Sequence, residues 1–202
     1  MSALNSERQR SVLDGALQLF EQYPLREITL EKLTKTSGVP AFDIIRSFHS
    51  SENILRAVLE RELDLMAAAA TAPELRMPGE TIADELRLLA RVIFDQYEKR
   101  MPFLRKLFGE ALNDSNVAAL YYSTFIVQGR QLFAQFLRTR AEAGELRPDL
   151  DVEAAAAIFL ASLLGSVMTF ELFGGRQVES LNEDRLLTEL CETFARGILR
   201  KS

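Results

Sequence analysis

ITLEKLTKTSGVPAFDIIRSF, residues Ile28–Phe48, decides the fold, because it reads as two short helices on either side of a glycine turn. Thr29 is a good N-cap, Glu31 sits favourably in the first turn, and Ile28 just before the cap can pack on Leu33 as a hydrophobic staple. Ser37-Gly38-Val39-Pro40 stops that helix. Glycine tolerates the left-handed conformation after a helix, and proline biases the residue before it away from helix while suiting the start of the next one. A second helix is therefore expected from about Ala41, with Ile44, Ile45 and Phe48 on one apolar face and Ala41, Phe42, Asp43, Arg46 and Ser47 pointing elsewhere. This is the plan of a helix-turn-helix, whose second helix offers its outer face to the major groove of DNA.

Upstream, Leu13, Ala16, Leu17 and Phe20 recur at helical spacing and predict an amphipathic helix over Ser6–Gln22, completing a three-helix headpiece. At this point the chain resembles the tetracycline-repressor (TetR) family of bacterial regulators. The resemblance runs through Ala16-Leu17-Gln18-Leu19-Phe20, Ile28-Thr29-Leu30-Glu31-Lys32-Leu33, Ser37-Gly38-Val39, Phe48 and Glu52-Asn53-Ile54-Leu55. It is specific over roughly the first quarter of the chain and architectural thereafter. It implies an all-α fold: a helix-turn-helix DNA-binding domain at 1–52 on a helical ligand-binding and dimerisation domain at 53–202. It further implies a dimeric repressor, released from a pseudo-palindromic operator by a small apolar or amphipathic molecule. The residues it assigns to DNA are Thr29, Lys35, Pro40, Ala41, Phe42, Asp43, Arg46, Ser47, His49 and Ser51.

The sequence also departs from the family pattern. Family members usually carry a cap such as serine at position 40, a small residue at 42, a tyrosine at 45, a histidine or tyrosine at 47 and a lysine at 51. Here these positions hold Pro40, Phe42, Ile45, Ser47 and Ser51. The family tyrosine and lysine typically hold phosphates, so two backbone anchors are missing: Ile45 has no hydrogen-bonding group and Ser51 no charge. Asp43 repels phosphate, although a carboxylate can accept from cytosine N4. Through residue 56, Arg8, Arg10, Arg26, Lys32, Lys35, Arg46 and Arg56 are matched one for one by Glu7, Asp14, Glu21, Glu27, Glu31, Asp43 and Glu52. Nonspecific DNA affinity rests on Lys and Arg neutralising phosphates, and Arg8, Arg10, Lys35, Arg46 and His49 are the groups that could converge on one duplex. Two readings stay open: a regulator, or a module of the same fold that binds ligands or proteins with weakened or lost operator affinity.

The net charge of −5 argues against a protein that coats nucleic acid and suits one that touches DNA at a small patch. The first residues lack the apolar stretch of a signal peptide, and no run reaches about 20 apolar residues, so a cytoplasmic protein off the membrane is expected. The single cysteine, Cys191, excludes an intrachain disulfide and reads as a buried small apolar residue.

Beyond the headpiece the apolar spacing predicts helices over Ile54–Ala70, Thr81–Arg100, a shorter one to about Asn113, Val117–Ala143 closed by Gly144, one capped by Asp151 and running to Phe173, and Asn182–Arg200. A loop is expected at Pro73, Pro78 and Gly79. The Asp151–Phe173 helix is apolar almost throughout and is expected to be buried on more than one side. In the family the last two long helices pair with their copies in a second subunit, which implies a dimer interface through Ala157, Ala161, Gly165, Met168, Leu187, Leu190 and Phe194. Aromatic residues between headpiece and bundle suggest a ligand pocket lined by Met66, Phe94, Tyr97, Phe103, Phe108, Tyr121, Tyr122, Phe125 and Gln128, with ordinary core packing as the competing reading. One histidine, no Walker or dinucleotide motif and no singled-out carboxylate pair leave no catalytic residue, metal ligand or cofactor to name.

Overall fold

The computed structural model describes residues 6–70, 81–180 and 182–200 of the 202. The expected loop at Pro73, Pro78 and Gly79 lies outside them. Among the described residues the chain is helical, with one isolated bridge between Leu146 and Leu199 and no strand. The helices are α1 (Ser6–Gln22), α2 (Leu30–Ser37), α3 (Ala41–Phe48), α4 (Ser51–Ala70), α5 (Ile82–Lys99), α6 (Met101–Ala111), α7 (Ser115–Tyr121), α8 (Val127–Glu142), α9 (Val152–Val167), α10 (Gly175–Val178) and α11 (Glu183–Ile198). Wider π turns at Tyr122–Ile126 and Met168–Leu172 join α7 to α8 and extend α9.

Two compact units divide the chain: residues 1–63 with 100–126, and 64–99 with 127–202. In the first, α1 buries Val12, Leu13, Ala16, Leu17 and Phe20 against α2 and α6. Gly15 permits the α1–α2 contact, since a Cβ there would stand 3.2 Å from the Ser37 backbone nitrogen. Glu62, only 9% exposed, is held by Arg100 Nε at 2.6 Å and Arg61 at 3.3 Å, and Arg61 also reaches Asp14 at 2.7 Å. A carboxylate so enclosed is tolerable because it is paired on two sides.

In the second unit α5 packs on α11 and α9, and α8 packs on α9. Its centre is aromatic: Phe133 and Phe194 each bring a ring centroid within 4.8 Å of Phe159. Arg91 bonds Glu183 and Asp184, Arg140 bonds Glu85, and Arg176 bonds Glu171 and Glu183, so charged pairs link helices around the apolar centre. The chain end is fastened as well, with Arg147 N–H donating to Ile198 O at 2.9 Å and Arg200 N–H to Glu145 O at 3.1 Å.

Local chemistry sets the helix ends. Asp114, Asp151 and Asn182 accept N-terminal amides from Asn116, Ala154 and Arg185. Thr81 and Asp84 form a reciprocal capping box at the start of α5, and the Thr81 hydroxyl and amide bonds hold the Asp84 carboxyl below its ordinary value. Gly174 (φ 74°) ends the extended α9, and the short α10 follows at once. There Gly175 is obligatory, because a Cβ would lie 2.8 Å from the Thr169 carbonyl oxygen.

Two expectations about the helix after Asp151 are revised. With its π turn it runs from Val152 to Leu172, 21 residues containing an 18-residue stretch at mean hydropathy 1.8, which meets the length and composition of a membrane span. Within the described residues its burial is one-sided, not on more than one side: Ala154, Ile158, Ala161, Ser162, Gly165 and Thr169 are exposed, while Ala155, Phe159, Leu163 and Val167 are buried. The composition is apolar on both faces, but among the described residues only one face is covered.

Candidate nucleic-acid interface

The helix-turn-helix is assembled by the signals that its sequence carries. Thr29 Oγ accepts from Lys32 N–H at 3.2 Å and opens α2. Gly38, at φ 70° and ψ 7°, closes it in the left-handed region, its amide donating to Thr34 O at 2.9 Å. Ser37 Oγ then accepts from Val39 N–H at 3.2 Å, and the Pro40 carbonyl accepts from Asp43 and Ile44, so α3 starts at Ala41.

Burial of α3 differs from expectation at one residue. Ile44 and Phe48 are buried at 1% and 6%, but Ile45 is 53% exposed and belongs to the outward face. Successive residues are about 100° apart around a helix, so Ile44 and Ile45 cannot both be centred on one narrow core contact. Phe42, 69% exposed, stands one turn before Ile45 on the same side. Arg46 places its guanidinium carbon 5.7 Å from the Phe42 ring centroid and a nitrogen 3.6 Å from Asp43. Arg8 of α1 approaches the other Asp43 oxygen at 3.2 Å. The carboxylate that should repel phosphate is therefore bracketed by two guanidinium groups, one of them brought from another helix.

The remaining candidates fall into three groups. Thr29, Lys35, Pro40, His49 and Ser51 are exposed and Ala41 half-buried. Ser47 is half-buried and its hydroxyl oxygen is enclosed without a hydrogen-bond partner. Lys32 leans over the Tyr23 ring at 3.7 Å and donates to Glu27 O. His49 ends α3 at φ 64° and ψ −33°, a left-sided backbone that a non-glycine residue seldom adopts. Beside it an open cleft of about 160 Å³ runs between α2, α3 and the start of α4, lined among others by Ile28, Leu30, Leu33, Ile45, His49 and Ser51.

The residues expected around a ligand divide between the two units. Phe103, Phe108, Tyr121, Tyr122 and Phe125 lie in the first, Met66, Phe94, Tyr97 and Gln128 in the second. In the first, Tyr121 stacks on Phe125 at 5.6 Å and meets Phe108 edge-on at 5.5 Å, whereas Tyr122 is exposed. Phe103 packs against Phe20 and lines a void of about 20 Å³, room for one water rather than an effector. In the second, Phe94 and Tyr97 are buried, Met66 half-buried and Gln128 exposed.

Of the residues assigned to a subunit interface, Ala161 and Gly165 are exposed and Ala157, Met168, Leu190 and Phe194 are half-buried. Leu187, 1% exposed, packs inside its own unit. Cys191 is fully buried, and that burial pushes its thiol up to about 11 against a smaller opposing pull from Arg87. Such a thiol is inert at neutral pH.

Sequence reasoning missed the Arg8–Asp43 pair, whose partners are 35 residues apart and share no local pattern. The exposure of Ile45 was within reach, since Ile44 and Phe48 already account for the core contact of so short a helix.

Comparison with known proteins agrees with this architecture. Residues 78–186, just over half of the chain, match the family described as tetracyclin repressor-like, C-terminal domain. Over 177 residues the chain is 27% identical to the HTH-type transcriptional repressor ComR of Escherichia coli K12, covering 86% of this chain and 81% of that protein. Among solved structures, a TetR-family transcriptional regulator from Rhodococcus sp. superposes with a TM-score of 0.77 at 15% identity, over 96% of this chain and all (100%) of that one. The flavonoid-responsive regulator FrrA gives a TM-score of 0.73 at 20% identity, over 96% of this chain and 98% of its own. The regulators of this family bind DNA operators and small-molecule ligands, typically as dimers, and are generally not enzymes. With its helix-turn-helix and the match across its body, the chain belongs to the TetR family of transcriptional regulators.

Proposed function

We propose that this protein is a dimeric, ligand-responsive repressor in the cytoplasm, which binds a pseudo-palindromic operator and leaves it when a small apolar or amphipathic molecule occupies its body. In this reading 1–52 is the DNA-binding part and 53–202 carries ligand binding and dimerisation, without a cofactor. The observation that carries it is the outward face of α3, where Phe42, Ile45 and the Arg46 guanidinium stand exposed or half-exposed on the second helix of the motif, after the Gly38 turn, the position from which a recognition helix would enter the major groove. The uncovered α9 stripe through Ile158, Ala161 and Gly165 supports a second copy, since small residues let helices approach closely. Two copies would space their recognition helices by the roughly 34 Å that adjacent major grooves require. The flavonoid response of FrrA supports a largely apolar effector class. Release then follows from differential affinity: the effector favours a headpiece arrangement that fits the operator poorly, and the coupling must appear equally in both affinities.

A second reading, a ligand-binding or protein-interaction module with little operator affinity, is favoured by Ile45 and Ser51 in place of the phosphate-holding tyrosine and lysine, and by the engagement of Arg8 and Arg46 with Asp43. One experiment separates the two. Duplexes retained from a random pool by the purified protein are sequenced, and retention is repeated across a salt series. Enrichment of one inverted repeat, with affinity falling steeply as salt rises, is the expected result. A folded dimer that retains no duplex at low salt defeats the repressor reading.

A further inference from the structure

We infer that Phe42 and Ile45 read thymine: each operator half-site carries thymines whose 5-methyl groups are contacted by these two side chains. The inference rests on the operator-binding reading and specifies its base preference. Phe42 and Ile45 are 69% and 53% exposed, one turn apart on the outward face of α3. Single exposed apolar side chains are common, but two large ones a turn apart on one helix face form a contiguous ridge, and contiguous exposed apolar surface is what marks an interaction site. The polar groups beside them are spoken for in part, because Asp43 lies between Arg8 at 3.2 Å and Arg46 at 3.6 Å. What this face offers a groove is therefore an apolar ridge with a cation at its flank.

The major groove presents one apolar feature, the thymine methyl, and every other base edge presents donors or acceptors. Seating Phe42 or Ile45 over a guanine or cytosine edge desolvates polar atoms without returning hydrogen bonds, which is costly. Over thymine the same side chains bury apolar surface against apolar surface. Arg46, stacked beside the Phe42 ring, supplies charge toward the flanking phosphates, so the ridge and its cation fit a groove rather than a neutral protein surface. These side chains can act in this way without threatening the fold, because the core contacts of α3 are made by Ile44 and Phe48.

The test removes the methyl groups and nothing else. In the duplex returned by selection, each half-site thymine is replaced in turn by deoxyuridine and binding is measured with the wild-type protein and with Phe42→Ala and Ile45→Ala. One buried methyl is worth about fourfold in affinity. Loss of that order is expected at the positions under the two side chains, and Phe42→Ala should abolish the discrimination at its own position while leaving that of Ile45 in place. A duplex bound tightly yet indifferent to deoxyuridine at every position overturns this inference and leaves the repressor reading standing. Equal discrimination by wild type and both variants overturns it as well. If selection retains no duplex at low salt, both fail together.

Discussion

Helices α3 and α9 both leave apolar surface uncovered, and they do so with opposite kinds of side chain. Exposed on α3 are a phenylalanine and an isoleucine beside arginine; beyond Glu153 in its first turn, α9 exposes Ala154, Ala161, Ser162 and Gly165, with Ile158 the one large apolar member. Protruding side chains reach into a groove, whereas a flat stripe of small ones lets another helix come close. The two surfaces thus call for different partners, a base edge for α3 and a second copy of α9, and each can be altered without touching the other.

The widest separation between an exposed and an enclosed aromatic should appear in stability. Phe159 is on the buried face of α9, 1% exposed, stacked on Phe133 and tilted against Phe194. Phe159→Ala is expected to cost about 3–5 kcal/mol of unfolding free energy. Phe42→Ala, on a side chain with little burial to lose, should stay within about 0.5 kcal/mol. Urea titration of both variants at one protein concentration measures the contrast. Similar losses would mean that Phe42 packs against something in the folded chain and is not a free reader.

A smaller effect is expected where α3 and the start of α4 lack the anchors usual in the family. Ile45 and Ser51 are both exposed, so Ile45→Tyr with Ser51→Lys adds a hydroxyl and a cation without disturbing the core. Affinity for the selected duplex should rise by about an order of magnitude or more at low salt, and the salt slope should steepen by about 0.9 for each added phosphate contact, about 1.8 for the two subunits together. By the thymine argument the same double variant loses discrimination at the base under Ile45. An unchanged salt slope would show that position 51 stands off the backbone, whatever happens to affinity.

On α9 the informative quantity is a sign. A Cβ added at Gly165 meets nothing within 4 Å among the described residues. If solvent covers this stripe, Gly165→Ala removes a glycine from a helix interior and stabilises by about 0.5–1 kcal/mol. If a second α9 lies there at close range, the same methyl pushes the copies apart. The expected outcome is weaker self-association in sedimentation equilibrium, with unfolding that depends on protein concentration in the wild type and less so in the variant.

The same two helices show how far the sequence could be read. The bounds of α1, the Thr29 cap, the Gly38 turn and the start of α3 were all legible, because each is decided by residues within one or two turns of itself. Asp151 announced its helix in the same way. The expectation failed where a neighbour distant in sequence decides. Apolar periodicity says that a face of α9 is sticky but not whether its own chain covers it. No local pattern joins Arg8 to Asp43 or Glu62 to Arg100, and the π turn at Tyr122–Ile126 interrupts what reads as one uninterrupted helix. For the candidate site, residue types were readable while their allocation between groove, core and ion pair was not.

His49 carries the smallest expected effect and bears on whether the headpiece is shaped for binding. It closes α3 at φ 64° with an amide bond to Ile45 O at 2.9 Å, in a position where glycine is at ease and histidine is strained. That strain costs a non-glycine residue about 1 kcal/mol, part of which a glycine returns through its greater freedom in the unfolded chain. His49→Gly should therefore stabilise by about half a kcal/mol. Were the residue only a helix end, this gain would come without loss elsewhere. If the exposed imidazole instead serves the duplex, the variant gains stability and loses operator affinity together, and the strained backbone is then explained by the contact it aims. Measuring both quantities on the one variant decides which account holds, and a stability gain with unchanged affinity removes His49 from the DNA-facing set.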